Sequence, residues 1–230
     1  MKLRTLTAAL ALAGIGLAGP SLAAGISDDV IRIGFITDMS SVYSDLDGKA
    51  GADAIRMAIA DAGGEINGKK IDLLVADHQN KADVASARAR EWFDEQKLDL
   101  LVSGTNSATA LAMAAVAAEK KKPYITIGAG SSNLTNQQCT PYTIHYAYAT
   151  IALARGTGSA VVKNGGDSWF FLTADYAFGH SLERDTAEVV KKAGGKVLGN
   201  VRAPLAVSDF SSFLLQAPSS GAKILGLGHA

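Results

Sequence analysis

Cysteine is almost missing from this chain: Cys139 is the only one in 230 residues. An internal disulfide framework is therefore excluded. The lone thiol leaves three readings open: a free residue, an intermolecular bridge, or a partner in sequence this chain does not contain. No histidine or basic group stands near enough in sequence to activate it as a nucleophile. Histidine is scarce too. His78, His145, His180 and His229 are the four, and none has ligand-like or triad-like spacing, which argues against a structural zinc site and a Ser-His-Asp arrangement. The GxSxG elbow and the GxxxxGK[ST] phosphate loop are both missing. No catalytic residue, metal or cofactor is assigned. Charge of one sign is lacking as well, with 22 basic against 22 acidic residues. A nucleic-acid partner or an anionic membrane surface would need a basic patch, so neither is expected.

A long hydrophobic run is also absent from the N-terminus. Leu6–Leu17 spans about a dozen residues, short of the roughly 20 that cross a bilayer as a helix. Its flanks give it another meaning. Lys2 and Arg4 precede it, and the small-residue exit Ser21-Leu22-Ala23 follows, the pattern of an export signal over residues 1–23. The location implied is periplasmic. Removal of Lys2 and Arg4 leaves the mature chain with 20 basic and 22 acidic residues, a charge near −2.

Beyond residue 29 the chain alternates strand and helix. Val30–Ile36 (VIRIGFI) is a β-rich run, followed by a loop over Thr37–Asp47 and a helix from about Gly48 to Ala62. In that helix Ala52, Ile55, Ile59 and Ala62 recur at helical spacing and are placed to cover a sheet. Gly63-Gly64 ends it and Asn67-Gly68 makes a tight turn. Strand–helix pairs follow at Lys70–Ala76 with Asp83–Gln96 and at Leu98–Val102 with Ser107–Glu119, and Pro123–Ile127 is a fourth strand. The lysines at 120–122 and 191–192 end helical segments, where cations suit the negative end of the dipole. Such alternation implies a parallel sheet with helices on both faces. Ligands in such sheets bind beyond the carboxyl ends of the strands.

The rhythm restarts after Pro141. Tyr142–Ile144 is extended; helices are expected over Ala149–Lys163, Gly179–Ala193 and Asp209–Ala217, and strands over Trp169–Thr173, Lys196–Val201 and Lys223–Leu227. The fold class is α/β, with two Rossmann-like lobes at 24–145 and 146–230 whose parallel sheets are flanked by helices. The second lobe is expected to be incomplete, because the chain stops three residues after a strand that would ordinarily feed a covering helix.

Four loop clusters carry polar and aromatic groups to the strand ends. Ser103-Gly-Thr-Asn-Ser107-Ala-Thr109 leaves a strand and opens a helix. Hydroxyls and free amides at a helix N-terminus suit a carboxylate; ordinary capping by Asn106 or Ser107 fits the same residues. Gly128-Ala129-Gly130-Ser131-Ser132 lets a ligand approach the backbone closely and offers two hydroxyls, or is a plain flexible turn. Met39-Ser-Ser-Val-Tyr43-Ser-Asp45 places an aromatic and a carboxylate in the first mouth, and Thr173-Ala-Asp175-Tyr176-Ala-Phe178-Gly179 does the same for the second unit. Rings in facing loops can sandwich a small organic solute. Core packing is the alternative for each ring, more so for Phe178 than for Tyr176. His180, at a helix start, reads as a solvated surface residue.

The segments IRIGFITDMSSVYSD, AIADAGGEINGKKIDLLVADHQN, GTNSATALAMAAVAAEKKKPYITIGAGSSNLT, TADYAFGHSLERDT and DFSSFLLQAPSSGAKILGLGHA occur in this order and spacing. With them the chain resembles the leucine/isoleucine/valine-type periplasmic binding proteins, the solute receptors of ABC importers, over essentially all of its length after the signal. The resemblance implies a type I periplasmic binding fold, two α/β lobes that close on solute like a hinged clamp. It implies that Ser107 bonds the ligand carboxylate, that Gly128 and the amides through Ala129 contact the same group, and that Gly130 or Ser131 falls at a family threonine. Tyr43 lies near a first-loop aromatic. Phe178 falls at a second-lobe tyrosine that stacks on ligand, with Tyr176 as its substitute, and Gly228 and His229 fall near another aromatic contact.

Departures from the family pattern bear on the solute. Phe for Tyr and Gly for Thr remove two hydroxyls from the amino-acid pattern, and the acidic residue that holds the ligand ammonium would lie beyond Ala230. TNSATAL and ADYAFGHSLERD are closer to members associated with aromatic carboxylates or other small organic acids. The resemblance thus implies capture of a branched-chain amino acid or an aromatic or organic acid by a monomer that delivers it to an ABC importer permease. It also implies C-terminal truncation, because family members run longer. The other readings are a ligand-sensing module of the same fold feeding a signalling partner and, more remotely, a secreted hydrolase. The first would carry a transmembrane helix or output domain, the second an activated serine.

Overall fold

The computed structural model describes residues 25–229; the signal at 1–23 lies outside them. The chain runs β1 (Val30–Thr37), α1 (Ser44–Asp47), α2 (Lys49–Asp61), β2 (Glu65–Ile66), β3 (Lys69–Asp77), α3 (Ala82–Asp94), β4 (Leu100–Ser103), α4 (Ser107–Lys120) and β5 (Tyr124–Thr126). A 3-10 turn at Ser132–Thr135 and β6 (Thr143–His145) follow. Then come α5 (Thr150–Lys163), β7 (Ser168–Ala174), α6 (Ala177–Lys192), β8 (Lys196–Ala203), α7 (Ser211–Leu214), α8 (Gln216–Ser219) and β9 (Ile224–Gly228). The architecture is bilobal and α/β. One sheet has the order β2-β3-β1-β4-β5-β6 and the other β8-β7-β9. Every pairing is parallel except the β2–β3 hairpin. There Asn67 and Gly68 both take positive φ, 52° and 77°, as a two-residue primed turn requires.

Alternation along β1 assigns the faces of the first sheet, since successive side chains point to opposite sides. Phe35 turns to α2, where a Cβ on Gly51 would stand 3.0 Å from its ring. Gly34 and Ile36 turn to the side of α3 and α4. A Cβ on Gly34 would come within 2.7 Å of Trp92, so the bare backbone is what lets the indole pack against the strand. Trp92, Phe93, Leu98, Leu101, Met113 and Tyr124 belong to this larger core, in which each fully buried Leu, Phe or Met is worth about 1.5–3 kcal/mol. The second core joins Trp169 and Phe171 of β7 to Val162 of α5 and Val190 of α6.

Two expectations need correction. Within α2 only Ala52 is buried; Ile55 and Ile59 are half-buried, and Ala62 is the exposed C-cap rather than part of the covering face. The helix expected over Asp209–Ala217 is instead two single turns, α7 and α8. The Asp209 carboxylate accepts the Ser211 amide at 2.9 Å and starts the first turn late. Pro218 has no N–H to give the Leu214 carbonyl, so a continuous helix cannot run through it.

Candidate functional site

The order β3-β1-β4 makes the chain leave β1 toward one side and return to the other, which opens a crevice at the carboxyl ends of these strands. Asp38, fully buried, shapes the loop after β1. Its carboxylate accepts the Tyr43 amide at 2.9 Å, the Ser41 amide at 2.9 Å and the Ser41 hydroxyl at 2.8 Å. Tyr43 is thereby held in a buried position. Asp47 reaches across to the β4–α4 loop, accepting from Thr37 Oγ1 at 2.7 Å, from Thr105 Oγ1 at 2.8 Å and from the Thr105 amide. A Cβ on Gly104 would overlap that carboxylate. The inward carboxylate of this mouth is therefore Asp47. Asp45, two residues earlier on the single turn α1, stays in solvent.

Capping of α4 falls to Asn106, whose Oδ1 accepts the amides of Ala108 at 2.7 Å and Thr109 at 3.1 Å. Ser107 is thereby left for other contacts. Buried at 1 % exposure, its Oγ accepts the Ser131 amide at 3.1 Å. The Ser131 hydroxyl in turn lies 2.6 Å from that of Ser181 on α6, so hydroxyls bridge from the start of α4 to the second lobe. Gly128 packs against Thr105, where a Cβ would stand 2.7 Å from Oγ1. Ala129 is buried, and its carbonyl pairs with His145 Nε2 at 2.6 Å. A Cβ on Gly130 would come within 2.7 Å of Tyr148 and 2.9 Å of Phe178.

Aromatic rings from both lobes meet beside these groups. The hydroxyls of Tyr43 and Tyr176 lie 2.6 Å apart. Ring centroids are 6.4 Å apart for Tyr43–Tyr176, 6.2 Å for Tyr176–Phe178 and 6.3 Å for Tyr148–Phe178, the last edge-on at 90°. Burial pushes the pKa of both tyrosine hydroxyls upward, and at Tyr176 the bond from Tyr43 adds to the shift. Both stay neutral and able to donate. Tyr43, Ser107, Gly128, Ala129, Gly130, Ser131, Tyr176 and Phe178 thus form one connected neighbourhood. His229 stands apart, edge-on to Phe210 at 5.4 Å, with its Nε2 buried and unpartnered. His180 is half-exposed and meets Asp175 at 2.7 Å.

Tyr148, Ser181 and Asp185 were not among the residues singled out from sequence. Phe178, Ser181 and Asp185 lie at i, i+3 and i+7 on α6, which puts them on one helix face; that spacing was the available signal. Asp185, 4 % exposed, accepts from Ser132 Oγ at 2.7 Å, from Thr150 Oγ1 at 2.6 Å and from the Arg184 guanidinium at 2.8 Å. It joins the 3-10 turn, α5 and α6. A cavity of about 450 Å³ lies elsewhere, lined by Leu153, Trp169, Phe171, Ile224 and Leu227 and by none of the nine residues assigned from sequence. Among the described residues no group of three or more His, Cys, Asp or Glu is placed to hold a metal.

Comparison with known proteins places this arrangement. A family model described as periplasmic binding protein matches residues 30–230. A periplasmic binding protein from Burkholderia mallei is 69% identical and superposes with a TM-score of 0.84, covering 88% of this chain and 54% of its own. A branched chain amino acid ABC transporter periplasmic ligand-binding protein from Burkholderia xenovorans is 36% identical, with a TM-score of 0.67 over 85% of this chain and 52% of its own. A solute binding protein of an ABC transporter from Rhodopseudomonas palustris, in complex with 3,4-dihydroxybenzoic acid, is 27% identical, with a TM-score of 0.74 over 87% of this chain and 54% of its own. Among curated relatives, a Leu/Ile/Val-binding protein homolog from Brucella abortus is 24% identical over 85% of this chain, which spans 50% of that relative's length. On the family match across 30–230, this chain belongs to the periplasmic binding protein family.

Proposed function

We propose that the chain captures a small carboxylate-bearing solute, an aromatic or branched aliphatic acid, for an ABC importer. It works as a monomer with a membrane permease, its lobes meeting at residues 145–146. One observation carries this reading. The N-terminus of α4, with Ser107 beside Ser131, opens next to a wall made of Tyr43, Tyr148, Tyr176 and Phe178. Helix-start amides and hydroxyls suit a carboxylate, while the rings suit an apolar body. A solute carboxylate would take the Ser131 amide in place of the Ser107 oxygen. Ser107 would then turn its proton to the carboxylate.

Family membership supports an extracytoplasmic location. The family and its structural relatives are binding proteins without a catalytic step, which sets the hydrolase reading aside. The dihydroxybenzoate bound by the Rhodopseudomonas relative and the branched-chain description of the Burkholderia xenovorans one support this choice of solute class.

A thermal-shift panel of benzoate, 4-hydroxybenzoate, leucine and glucose tests the proposal. A ligand at 100 times its dissociation constant adds about 2.7 kcal/mol to stability, and the acids are expected to do so while glucose does not. Ser107→Ala is expected to weaken acid binding by about one to two decades, since a hydrogen bond to a charged group is worth roughly 1.5–3 kcal/mol. The solute-free protein should lose about 1–3 kcal/mol as well, because the buried Ser131 amide is left without its acceptor while Asn106 keeps the helix cap. Affinity is therefore measured well below the melting temperature of the variant. Stabilisation by glucose alone overturns the proposal; unchanged acid affinity in Ser107→Ala removes that residue from the site.

A further inference from the structure

His78, just after β3, is fully buried. Its Nδ1 accepts the backbone amide of Asn80 at 3.0 Å. A backbone amide can only donate, so Nδ1 carries no proton and the neutral ring holds its proton on Nε2. Nε2 stands 3.2 Å from Thr109 Oγ1, which donates to the Asn106 carbonyl at 3.0 Å. Asn106 caps α4 through Oδ1 and gives its Nδ2 to the Asn80 side-chain oxygen. His78, Asn80, Asn106 and Thr109 therefore close a ring of hydrogen bonds. Asn80 and Asn106 have positive φ, 59° and 98°, a region that few residues other than glycine occupy. The ring holds both where the helix start needs them.

We propose that His78 is the positioning residue of the α4 N-terminus: neutral, it closes the ring that presents Ser107, and protonated, it opens it. The link to solute rests on the function proposed above. An imidazolium would bring an Nδ1 proton against the Asn80 amide, setting two donors face to face at a 3.0 Å separation. The charged groups facing the ring are Asp38 and Asp47 from the β1 side and Asp77 from its own strand, while α4 presents the Thr109 hydroxyl. Burial lowers the His78 pKa against the pull of those three carboxylates. The folded value thus lies below the unfolded one of about 6.5. The ring's contribution is complete above that pH and is lost as pH falls through the window beneath it. Acid would release solute.

Nuclear magnetic resonance on the full chain tests this. At neutral pH the His78 ring should show the Nε2–H tautomer. On acidification below about pH 6.5, the protection of the Ala108 and Thr109 amides, taken against the intrinsic exchange rate at each pH, should fall at least about tenfold, in step with His78 protonation. His78→Asn supplies an acceptor near Nδ1 that does not titrate, so its protection should stay flat. Protection that is unchanged as wild-type His78 titrates overturns the proposal, and this measurement stands whether or not the variant folds. The same loss of protection in His78→Asn overturns it too. Titration with 4-hydroxybenzoate separates ring from solute. Affinity that falls with the protection supports presentation of Ser107, and affinity that stays flat while protection is lost overturns it. If no acid binds at any pH, the solute proposal alone fails and the exchange data still decide the ring.

Discussion

Gly179→Ala is expected to destabilise the second lobe by roughly 3 kcal/mol, the upper end of what overpacking costs. Gly179 lies in the first turn of α6. A Cβ there would overlap the Ala174 carbonyl oxygen and stand 3.0 Å from the Gly228 carbonyl oxygen. Both obstacles are backbone, so no side-chain rotation relieves them. Either α6 lifts from the end of β7 or β9 is pushed from its place beside β7. Phe178 and Ser181 ride on the same turn, so acid binding should fall with stability. Gly156→Ala is the control: it lies within α5, and a Cβ there meets nothing within 4 Å. That change should stabilise by up to about 1 kcal/mol through helix propensity alone. Urea unfolding of the pair decides the matter; a Gly179→Ala midpoint equal to wild type would mean that the crowding at this turn is not real.

Asp185→Ala is expected to lose about 3 kcal/mol. The carboxylate is 4 % exposed, and its removal strands two buried hydroxyls, Ser132 and Thr150. Each buried donor left without an acceptor costs about 1–3 kcal/mol. Arg184 adds little, because its side chain is 40% exposed and can return to water. Both hydroxyls donate to the same oxygen, Oδ2, while Arg184 binds Oδ1. Asp185→Asn with its amide oxygen at the Oδ2 position keeps an acceptor for both and should lose less than half as much. The two variants compared by urea unfolding give the answer: equal losses would mean that the negative charge, rather than the two hydroxyl bonds, is what joins the 3-10 turn to α5 and α6.

Much of the fold was legible because burial imposes periods on the sequence. VIRIGFI and KIDLLVA are strands of the first sheet, and Asn67-Gly68 turns between two of its strands. Where the pattern failed, a local polar contact or a chain-breaking residue outweighed it, as Asp209 does in delaying the start of α7 and Pro218 in keeping α7 and α8 from joining. The site was legible only in part. Ser131, Tyr43 and Tyr176 stand in loops at strand ends and Ser107 opens the helix after one, where the topology directs a reader. Tyr148 and Ser181 take their meaning from how the two sheets come together, which no local pattern records. Asp38 and His78 escaped for another reason: a buried polar residue looks like a solvated one until its hydrogen-bond partners are known.

The rings beside the α4 N-terminus and the cores beneath the sheets are built from different residues. Neither core contains Tyr43, Tyr148, Tyr176 or Phe178. A substitution in the wall therefore leaves untouched the contacts within these two cores, and its cost falls on the crevice, where Tyr43 and Phe178 are themselves buried. This separation has an evolutionary consequence. A lineage can exchange rings in the wall while both lobe cores stay as they are. The scaffold is inherited while its specificity diversifies.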